Sequence, residues 1–387
     1  PPRAGLLLAK LAIAAQPGGT AAAHVSAVAQ SPGDAILTTA AGHTCVVVGG
    51  AVQCWGDNSY GDLGDGTKTQ RPLPTPVVGL GGNVLGVSAG ADHTCALLES
   101  GDVQCWGENY YGELGDGTNT DSTAPVTVSG LGGPAQAIAV DIDTSCAVVS
   151  GAALCWGDGS LGQLGNGATG NSNVPVPITN LGSGVQAISA GDDFVCAIVS
   201  GAAWCWGYDA GGNLGDGGSG VSRVPVAVPS LGANVTQLST GAEHSCAIAA
   251  GAASCWGEAE DGDLGNGVTT GDLPASAVTG LGAGVQTIAA GRNHSCAIVG
   301  GAAQCWGDNS FGELGNGNTT NSAVPVPVPL LGTNVQAIAT GYWYTCAIAD
   351  GAVRCVGANI YGNLGNGAVN NNANPTISTV TLSGTTP

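Results

Sequence analysis

The sequence predicts an all-β fold, a seven-bladed β-propeller with four-stranded blades, for two reasons. First, the 14 cysteines of this 387-residue chain fall into seven pairs that recur every fifty or fifty-one residues. Second, each period contains four strand-like stretches separated by glycine-rich turns. Periods of about 40–50 residues with several strands each are typical of propeller blades.

A hairpin surrounds each cysteine pair. Two apolar runs flank a two-residue turn such as Gly49-Gly50, and glycine there permits the positive φ of primed hairpin turns. Counting outward from this turn places Cys45 opposite Cys54 at a non-hydrogen-bonded position, where Cα atoms approach to about 4.5 Å. A disulfide tolerates about 4.4–6.8 Å, so the sequence predicts a disulfide inside each hairpin. The predicted pairs are Cys45 with Cys54, Cys95 with Cys105, Cys146 with Cys155, Cys196 with Cys205, Cys246 with Cys255, Cys296 with Cys305 and Cys346 with Cys355.

Free thiols and metal-bound thiolates are the alternatives to disulfides. The even number of cysteines at bridging register favours disulfides. The chain has no Cys-x-x-Cys motif, and the residue two positions before each first cysteine varies too much for a metal ligand. This position holds His43, His93, His244 and His294 in four repeats and Thr144, Phe194 and Tyr344 in the others. We expect these histidines to be strand residues that pack against a neighbour.

The fourth repeat illustrates the strand assignment. Its predicted strands are Val185–Ala190, Phe194–Val199, Ala203–Gly207 and Val224–Val228, with a long glycine-rich loop before the last one. The second repeat has one additional residue near Gly101, which predicts a longer turn.

Proline placement and the chain ends complete the predicted topology. Pro72, Pro74 and Pro76 alternate, so they remove hydrogen-bond donors along one side only, as an outer edge strand tolerates. The stretch 34–42 matches the start of a repeat, and 374–380 matches the end of one. We therefore expect the N- and C-terminal strands to pair within one blade that closes the ring.

The repeat core at Cys54–Thr67, Cys-Trp-Gly-Asp-Asn-Ser-Tyr-Gly-Asp-Leu-Gly-Asp-Gly-Thr, resembles the regulator-of-chromosome-condensation repeat. Its Trp-Gly dipeptide recurs at Trp55, Trp106, Trp156, Trp206, Trp256 and Trp306, with Val356 in the seventh repeat. Its leucine recurs at Leu63, Leu114, Leu164, Leu214, Leu264, Leu314 and Leu364. The resemblance covers most of the chain and implies a seven-bladed propeller. Members of the family include a nucleotide-exchange factor that binds chromatin and secreted bacterial inhibitors of β-lactamase, so the resemblance alone does not imply one function.

Charge and cysteine content limit the possible partners and the cellular location of the protein. The formal net charge is -20, with 27 acidic and 7 basic residues. Binding to phosphate backbones needs clustered Lys and Arg, so we expect no nucleic-acid partner. Paired cysteines suit an oxidising compartment, and an acidic surface favours solubility. The sequence therefore favours a secreted, extracellular protein.

Residues 1–33 lie outside the repeats and form a predicted N-terminal extension to the propeller of residues 34–387. Its apolar segment is too short to span a bilayer, and it also resembles the core of a signal peptide. Alternatively, the segment packs on its own ring or on another subunit. We name Leu6, Leu7, Leu8, Leu11 and Ile13 as candidates for assembly contacts.

No catalytic motif is found in the sequence, and we expect neither an enzyme nor a bound cofactor. The loops rich in Asp and Asn, such as 57–66, contain oxygen ligands suited to calcium, but Asn, Asp and Gly are also ordinary turn formers. We favour the turn interpretation and assign no metal ligands. Trp204, Tyr342, Trp343 and Tyr344 depart from the internal consensus and are candidates for contact with a partner.

These observations predict a secreted, non-catalytic structural or interaction propeller. Its partner would be a second copy of itself, in an oligomer, filament or surface layer built through the N-terminal extension, or another extracellular protein. The alternative is a secreted inhibitor or receptor-type propeller that binds one protein as a monomer.

Deletion of residues 1–30 tests the assembly hypothesis. We expect light scattering to show an oligomer for the full chain and a monomer for the truncated chain, because the apolar segment would supply the contact between subunits. A full chain that is already monomeric would contradict this hypothesis.

Overall fold

The computed structural model describes residues 36–370 and 377–382, which form seven four-stranded antiparallel sheets arranged as a β-propeller. Each sheet contains four strands that are consecutive in the sequence, so a blade corresponds to one continuous stretch of chain. The predicted extension 1–33 and its five candidate assembly residues lie outside the described residues.

The strands follow the chain in seven groups of four. Blades 1 to 3 contain β1 (Ile36–Thr39), β2 (His43–Val48), β3 (Ala51–Gly56), β4 (Arg71–Pro76), β5 (Val84–Ala89), β6 (His93–Leu98), β7 (Val103–Gly107), β8 (Ser122–Thr127), β9 (Ala135–Val140), β10 (Thr144–Val149), β11 (Ala152–Gly157) and β12 (Ser172–Pro177). Blades 4 and 5 contain β13 (Val185–Gly191), β14 (Phe194–Val199), β15 (Ala202–Asp209), β16 (Gly220–Ala227), β17 (Val235–Thr240), β18 (His244–Ala249), β19 (Ala252–Glu258) and β20 (Asp272–Ala277). Blades 6 and 7 contain β21 (Val285–Ala290), β22 (His294–Val299), β23 (Ala302–Gly307), β24 (Ser322–Pro327), β25 (Val335–Thr340), β26 (Tyr344–Ala349), β27 (Ala352–Gly357) and β28 (Ser378–Val380). Three single turns of 3-10 helix span Pro229–Leu231, Glu260–Gly262 and Pro329–Leu331.

The first strand of each blade lies at the centre of the ring, where β1, β5, β9, β13, β17, β21 and β25 contact one another in a closed circuit. The proline-bearing strands β4, β12 and β24 are the fourth strands of their sheets, as the alternating prolines predicted. Their outer sides carry no sheet partner, so the missing N–H groups cost no ladder bonds.

The hairpin register follows the sequence expectation. Val48 pairs with Ala51 and Val46 with Gln53, and Cys45 faces Cys54. The second repeat, with its additional residue, keeps the same pairing at the cysteines, because Cys95 faces Cys105. The hairpin register thus brings the two sulfur atoms together in every blade, through a two-residue turn in six blades and a longer turn in blade 2.

All seven predicted disulfides are confirmed, and each lies within its own hairpin. The bonded pairs are Cys45 with Cys54, Cys95 with Cys105, Cys146 with Cys155, Cys196 with Cys205, Cys246 with Cys255, Cys296 with Cys305 and Cys346 with Cys355. Their Cα atoms are 4.0–4.1 Å apart, somewhat closer than the register predicted. Each bridge closes a loop of only nine or ten residues, which corresponds to about 2–3 kcal/mol by the loop-entropy estimate. The disulfides therefore stabilise single blades and do not connect neighbouring blades.

Tryptophan side chains connect six of the seven blades to the preceding one, and blade 7 carries Val356 at the equivalent position. The Trp106 indole N–H of blade 2 donates a hydrogen bond to the Asp62 carbonyl of blade 1 over 2.8 Å, and the indole is fully buried. The same bond recurs with lengths of 2.7–2.9 Å at Trp55, Trp156, Trp206, Trp256 and Trp306. It satisfies a buried donor that would otherwise destabilise the apolar interface.

A glycine of the Leu-Gly dipeptide lies directly against each of these indoles. At Gly365, which has a φ of 66°, a Cβ atom would stand 2.7 Å from the Trp55 indole nitrogen. Both the positive φ and the close approach therefore require glycine at this position. The constant spacing of this dipeptide along the chain thus reflects contact between successive blades.

A second set of polar contacts joins four pairs of neighbouring blades. The Nε2 atom of His43 lies 2.8 Å from the Thr94 hydroxyl of the next blade. Equivalent pairs are His93 with Ser145, His244 with Ser295 and His294 with Thr345. All four imidazoles are fully buried. The expected packing role of these histidines is therefore accompanied by a specific hydrogen bond between blades.

The expectation that one blade combines both chain ends is wrong. Strand β1 begins blade 1 and β28 completes blade 7, so the two terminal strands lie in different sheets. Because every sheet is continuous in sequence, blades 7 and 1 are joined by side-chain packing and hydrogen bonds, with Trp55 donating to the Asn363 carbonyl.

Tyr344 makes further contacts at this closure, beside the bonds from the Gly367 amide to the Pro72 carbonyl and from the Thr44 hydroxyl to the Asn363 carbonyl. It replaces the histidine of other blades, and its hydroxyl donates to the His43 carbonyl over 2.7 Å and lies 3.0 Å from the Thr44 hydroxyl. The Ala40 amide donates to the same oxygen. The side chain is only 1% exposed, which corrects its assignment as a candidate for partner contact.

We expect Tyr344→Phe to destabilise the ring by about 0.5–1.5 kcal/mol, because it removes the buried hydrogen bond from this hydroxyl to the His43 carbonyl, which keeps its bond from the Ala40 amide. Urea unfolding followed by tryptophan fluorescence measures this change. The matched control is Tyr110→Phe, whose ring is 70% exposed and whose substitution should leave the midpoint unchanged. Equal midpoints for both variants would contradict a closing role for Tyr344.

Candidate functional site

The loops at one end of the blades form the principal candidate site. Because His43 pairs with Gly56, the turn between the first and second strands and the loop between the third and fourth strands leave the same end of blade 1. The Asp57 amide donates to the Gly42 carbonyl and fixes the two segments together. The same register recurs in the other blades. We call this end of the ring the loop face.

Acidic residues are concentrated on the loop face. Within residues 36–370 and 377–382, every Asp and Glu lies there except Glu99, Asp102 and Asp350. Four basic residues share this face, and two of them are engaged locally, with Lys68 bound to Asp121 and Arg71 bound to Asp65. Within the described residues, the excess of acidic over basic side chains is therefore concentrated at one end of the ring.

A cluster of aromatic and charged side chains covers the centre of this face. The Tyr342 hydroxyl of blade 7 donates to the Asp192 carboxylate of blade 4, at 3.3 Å and 3.4 Å from its two oxygens. The Arg292 guanidinium lies 5.1 Å from the centre of the Tyr342 ring and 5.6 Å from that of Trp343. These are cation–π distances. We call Asp141, Asp192, Arg292, Tyr342 and Trp343 the central cluster.

The central cluster encloses a cavity of about 10 Å³ lined by Asp141, Asp192, Thr240 and Tyr342 together with neighbouring residues. This volume accommodates about one water molecule. Burial, followed by the charge of Asp192, raises the pKa of Asp141 well above its usual range. Burial also raises the pKa of Asp192 to about 7, against the lowering effect of the Tyr342 hydrogen bond. The pair therefore retains a proton near neutral pH.

Further carboxyl groups with raised pKa values lie on the loop face, in blades 2, 5 and 6. Burial and the charge of Asp92 raise the pKa of Glu108 to about 7, while burial raises those of Glu113 to about 7 and Glu313 to about 8. Burial and the charge of Glu258 raise the pKa of Asp263 to about 8. Removal of a proton from any of these groups adds repulsion to a face that already carries excess negative charge.

The structure separates the residues that the sequence grouped as contact candidates. Tyr342 and Trp343 lie together on the loop face, half-buried, with ring centres 5.8 Å apart. Trp204 lies half-buried in the middle of β15, away from the cluster, at the register position where Gln104 and Arg354 bind backbone groups.

Three members of the central cluster, Asp141, Asp192 and Arg292, were missed by the sequence analysis. Asp141 lies five residues before a cysteine, where the other blades carry Gly or Ala, and Asp192 and Arg292 lie four before one, where blades 1, 2 and 5 carry Ala. This deviation from the internal consensus could have identified them.

The site is suited to binding by charge and aromatic contact. In the described part of the chain every histidine is fully buried, so the exposed polar surface of this face consists mainly of carboxyl, amide and hydroxyl groups. The described residues include no helix with the length and apolar character that a membrane crossing requires.

The pKa shifts predict that folding stability falls as pH rises above 6.5. Carboxyl groups of the unfolded chain have pKa values of about 4. In the folded protein the pKa values are raised to about 7 for Glu108 and Glu113 and to about 8 for Glu313 and Asp263. The folded state then binds more protons, and its advantage is lost as pH rises through these values. The buried histidines have pKa values lowered to about 3 or 4, so they make folding stability rise with pH. This opposite effect ends above about pH 6.5, where histidine in the unfolded chain has also lost its proton.

We therefore expect a lower urea midpoint at pH 8.5 than at pH 6.5, measured with a chelator present. A higher midpoint at pH 8.5 would contradict the assignment of protons to these carboxyl groups.

Two family models match the chain. The regulator of chromosome condensation (RCC1) repeat matches residues 49–97, 100–148, 150–198, 200–248 and 301–348, and a second model of this repeat matches 84–113. Among curated proteins, the ultraviolet-B receptor UVR8 of Arabidopsis thaliana is 37% identical over 101 residues, which are 25% of this chain and 23% of that protein. This chain therefore matches less than a quarter of UVR8.

Solved structures share the fold at low sequence identity. Prp20p of Saccharomyces cerevisiae, reported with its binding properties to Gsp1p and histones, superposes with a TM-score of 0.76 and 19% identity, over 94% of this chain and 89% of that chain. The ectodomain of the receptor kinase CR4 of Physcomitrella patens superposes with a TM-score of 0.52 and 16% identity, over 86% and 74% of the two chains. Because the repeat models cover more than half of the sequence, the chain belongs to the regulator of chromosome condensation (RCC1) repeat family.

Proposed function

We propose that this protein is a secreted, non-catalytic interaction propeller that binds a basic protein through its loop face. The observation that carries the proposal is the segregation of charge, which leaves only Glu99, Asp102 and Asp350 as acidic residues elsewhere in the described chain. A face of one sign attracts a partner of the opposite sign and speeds encounter with it. The partner's cations would also relieve repulsion among the carboxyl groups.

The central cluster gives the proposed interface a specific contact. Tyr, Trp and Arg dominate the energetics of protein interfaces because they combine apolar area with polar anchoring. Tyr342, Trp343 and Arg292 supply these three types at the centre of the ring, and the Phe311 ring extends the aromatic surface, 6.2 Å from that of Trp343. We therefore assign affinity and orientation to the cluster and long-range attraction to the surrounding carboxylates.

Extracellular location is supported by the seven disulfides, which persist in oxidising compartments. The similarity in fold to a receptor-kinase ectodomain is consistent with a propeller of this kind outside the cell. Binding of protein partners is a further point of analogy with Prp20p, reported to bind Gsp1p and histones. Self-assembly through residues 1–33 stays a prediction, since that segment lies outside the described residues.

Poly-L-lysine serves as a probe for binding of basic chains. We expect the full protein to bind it with an affinity that falls steeply with salt, because the contact is electrostatic. The double variant Glu243→Lys, Asp272→Lys changes two exposed residues of the loop face and should weaken binding at least fivefold, as measured by fluorescence anisotropy. The matched control Glu99→Lys, Asp102→Lys makes the same change in net charge on the opposite face and should bind nearly as well as wild type. Equal loss in both variants would show that net charge acts without the loop face.

A further inference from the structure

We propose that Asp57, Asp62 and Asp92 form a calcium-binding site between blades 1 and 2. Each residue offers a carboxylate oxygen, and these oxygens lie within 4.8 Å of one another. Asp57 follows β3 and Asp62 lies in the following loop of blade 1, whereas Asp92 precedes β6 of blade 2. A cation held by all three would connect the two blades.

The environment of Asp62 points to a missing positive charge. The residue is fully buried, and neither carboxylate oxygen has a hydrogen-bond partner. A buried carboxylate without a donor or a cation is strongly destabilised. The nearest basic side chains of this loop do not compensate, because Lys68 binds Asp121 and Arg71 binds Asp65.

Blade 3 shows how the same position is satisfied without a cation. There the residues equivalent to Asp57, Asp62 and Asp92 are Asp158, Gln163 and Asp193. The Gln163 amide donates hydrogen bonds of 3.0 Å to Asp158 and 3.2 Å to Asp193, so it holds the two carboxylates together. Asp62 has the same neighbours and no N–H group, and a bound cation would take the place of that amide.

In the remaining blades the residue equivalent to Asp62 has at least one polar partner. In blades 4 and 7 the equivalent residues are Asn213 and Asn363, whose amide groups donate to backbone carbonyls of their own loops. In blades 2 and 6, Glu113 and Glu313 accept hydrogen bonds from backbone amides. In blade 5 the His244 Nδ1 atom lies 3.4 Å from an Asp263 oxygen. Among the described residues, only Asp62 has two unpartnered buried carboxylate oxygens at this position.

Calcium fits the donor set better than magnesium does. Calcium accepts six to eight oxygen ligands in flexible geometry, whereas magnesium requires a near-ideal octahedron and loses water reluctantly. The three carboxylates come from a loop and a turn of two different blades, so they are not constrained to octahedral positions. Glu108, whose charge also contributes to the raised pKa of Asp62, adds a fourth acidic group to this junction.

Calorimetric titration of the chelator-treated full chain with calcium chloride at pH 8 tests the proposal. We expect one binding event that also raises the unfolding temperature, and a weaker response to magnesium chloride. The variant Asp62→Gln places the blade 3 amide in blade 1, so it should lose calcium binding at least tenfold while unfolding at or above the wild-type temperature in chelator. Asp92→Asn, at a half-buried position, should weaken binding similarly.

The matched control is Asp261→Asn, which removes one charge from an exposed loop position in blade 5 and should bind calcium as the wild type does. Absence of heat and of thermal shift in the wild type up to millimolar calcium would overturn the proposal. Wild-type binding by both Asp62→Gln and Asp92→Asn would overturn it as well, because calcium would then lie elsewhere. These outcomes are independent of the poly-L-lysine result.

Discussion

The hydrogen bond from an indole N–H to a carbonyl of the preceding blade is the contact on which the other features depend. It fixes the loop between the third and fourth strands against the next blade, as Trp106 does at Asp62. The glycine beneath the indole leaves no room for a Cβ atom, so the loop can take only one path. The side chains that project from this loop are therefore held at defined positions, which a set of free loops would not provide.

The cost of this arrangement is electrostatic. Rigid loops that carry Asp and Glu between blades bring carboxyl groups together, and the fold must accommodate their repulsion with protons, amide donors or cations. At Gln163 a side-chain amide donates to the neighbouring carboxylates. In the Asp141–Asp192 pair a retained proton reduces the repulsion. A protein that faces a basic partner gains from this repulsion, because a bound cation removes it. The proposed binding of a basic partner and the stability of the free protein thus favour opposite charge densities on the loop face, as is common for functional sites.

The features that could be predicted from the sequence are those that depend on contacts within one repeat. The pairing of Cys45 with Cys54 follows from a two-residue turn, and the outer position of Pro72 follows from its missing donor, so both were predictable. Tyr344 was misassigned because its departure from the repeat pattern signalled a special contact but not its burial, which depends on blade 1 lying beside blade 7. Asp92 was not grouped with the acidic loop 57–66 because it comes from another blade, some thirty residues away in sequence. Contacts between blades could not be read from any single repeat.

The restriction of each disulfide to one hairpin has a consequence for how the protein is made. Every cysteine has its correct partner nine or ten residues away, and every incorrect partner in another blade is farther along the chain. Because short loops close with the smallest loss of chain entropy, oxidation favours the native pairs from the outset. A blade emerging during synthesis can be oxidised before the next one exists. Repeats could therefore be gained or lost by recombination without leaving a cysteine that lacks a partner.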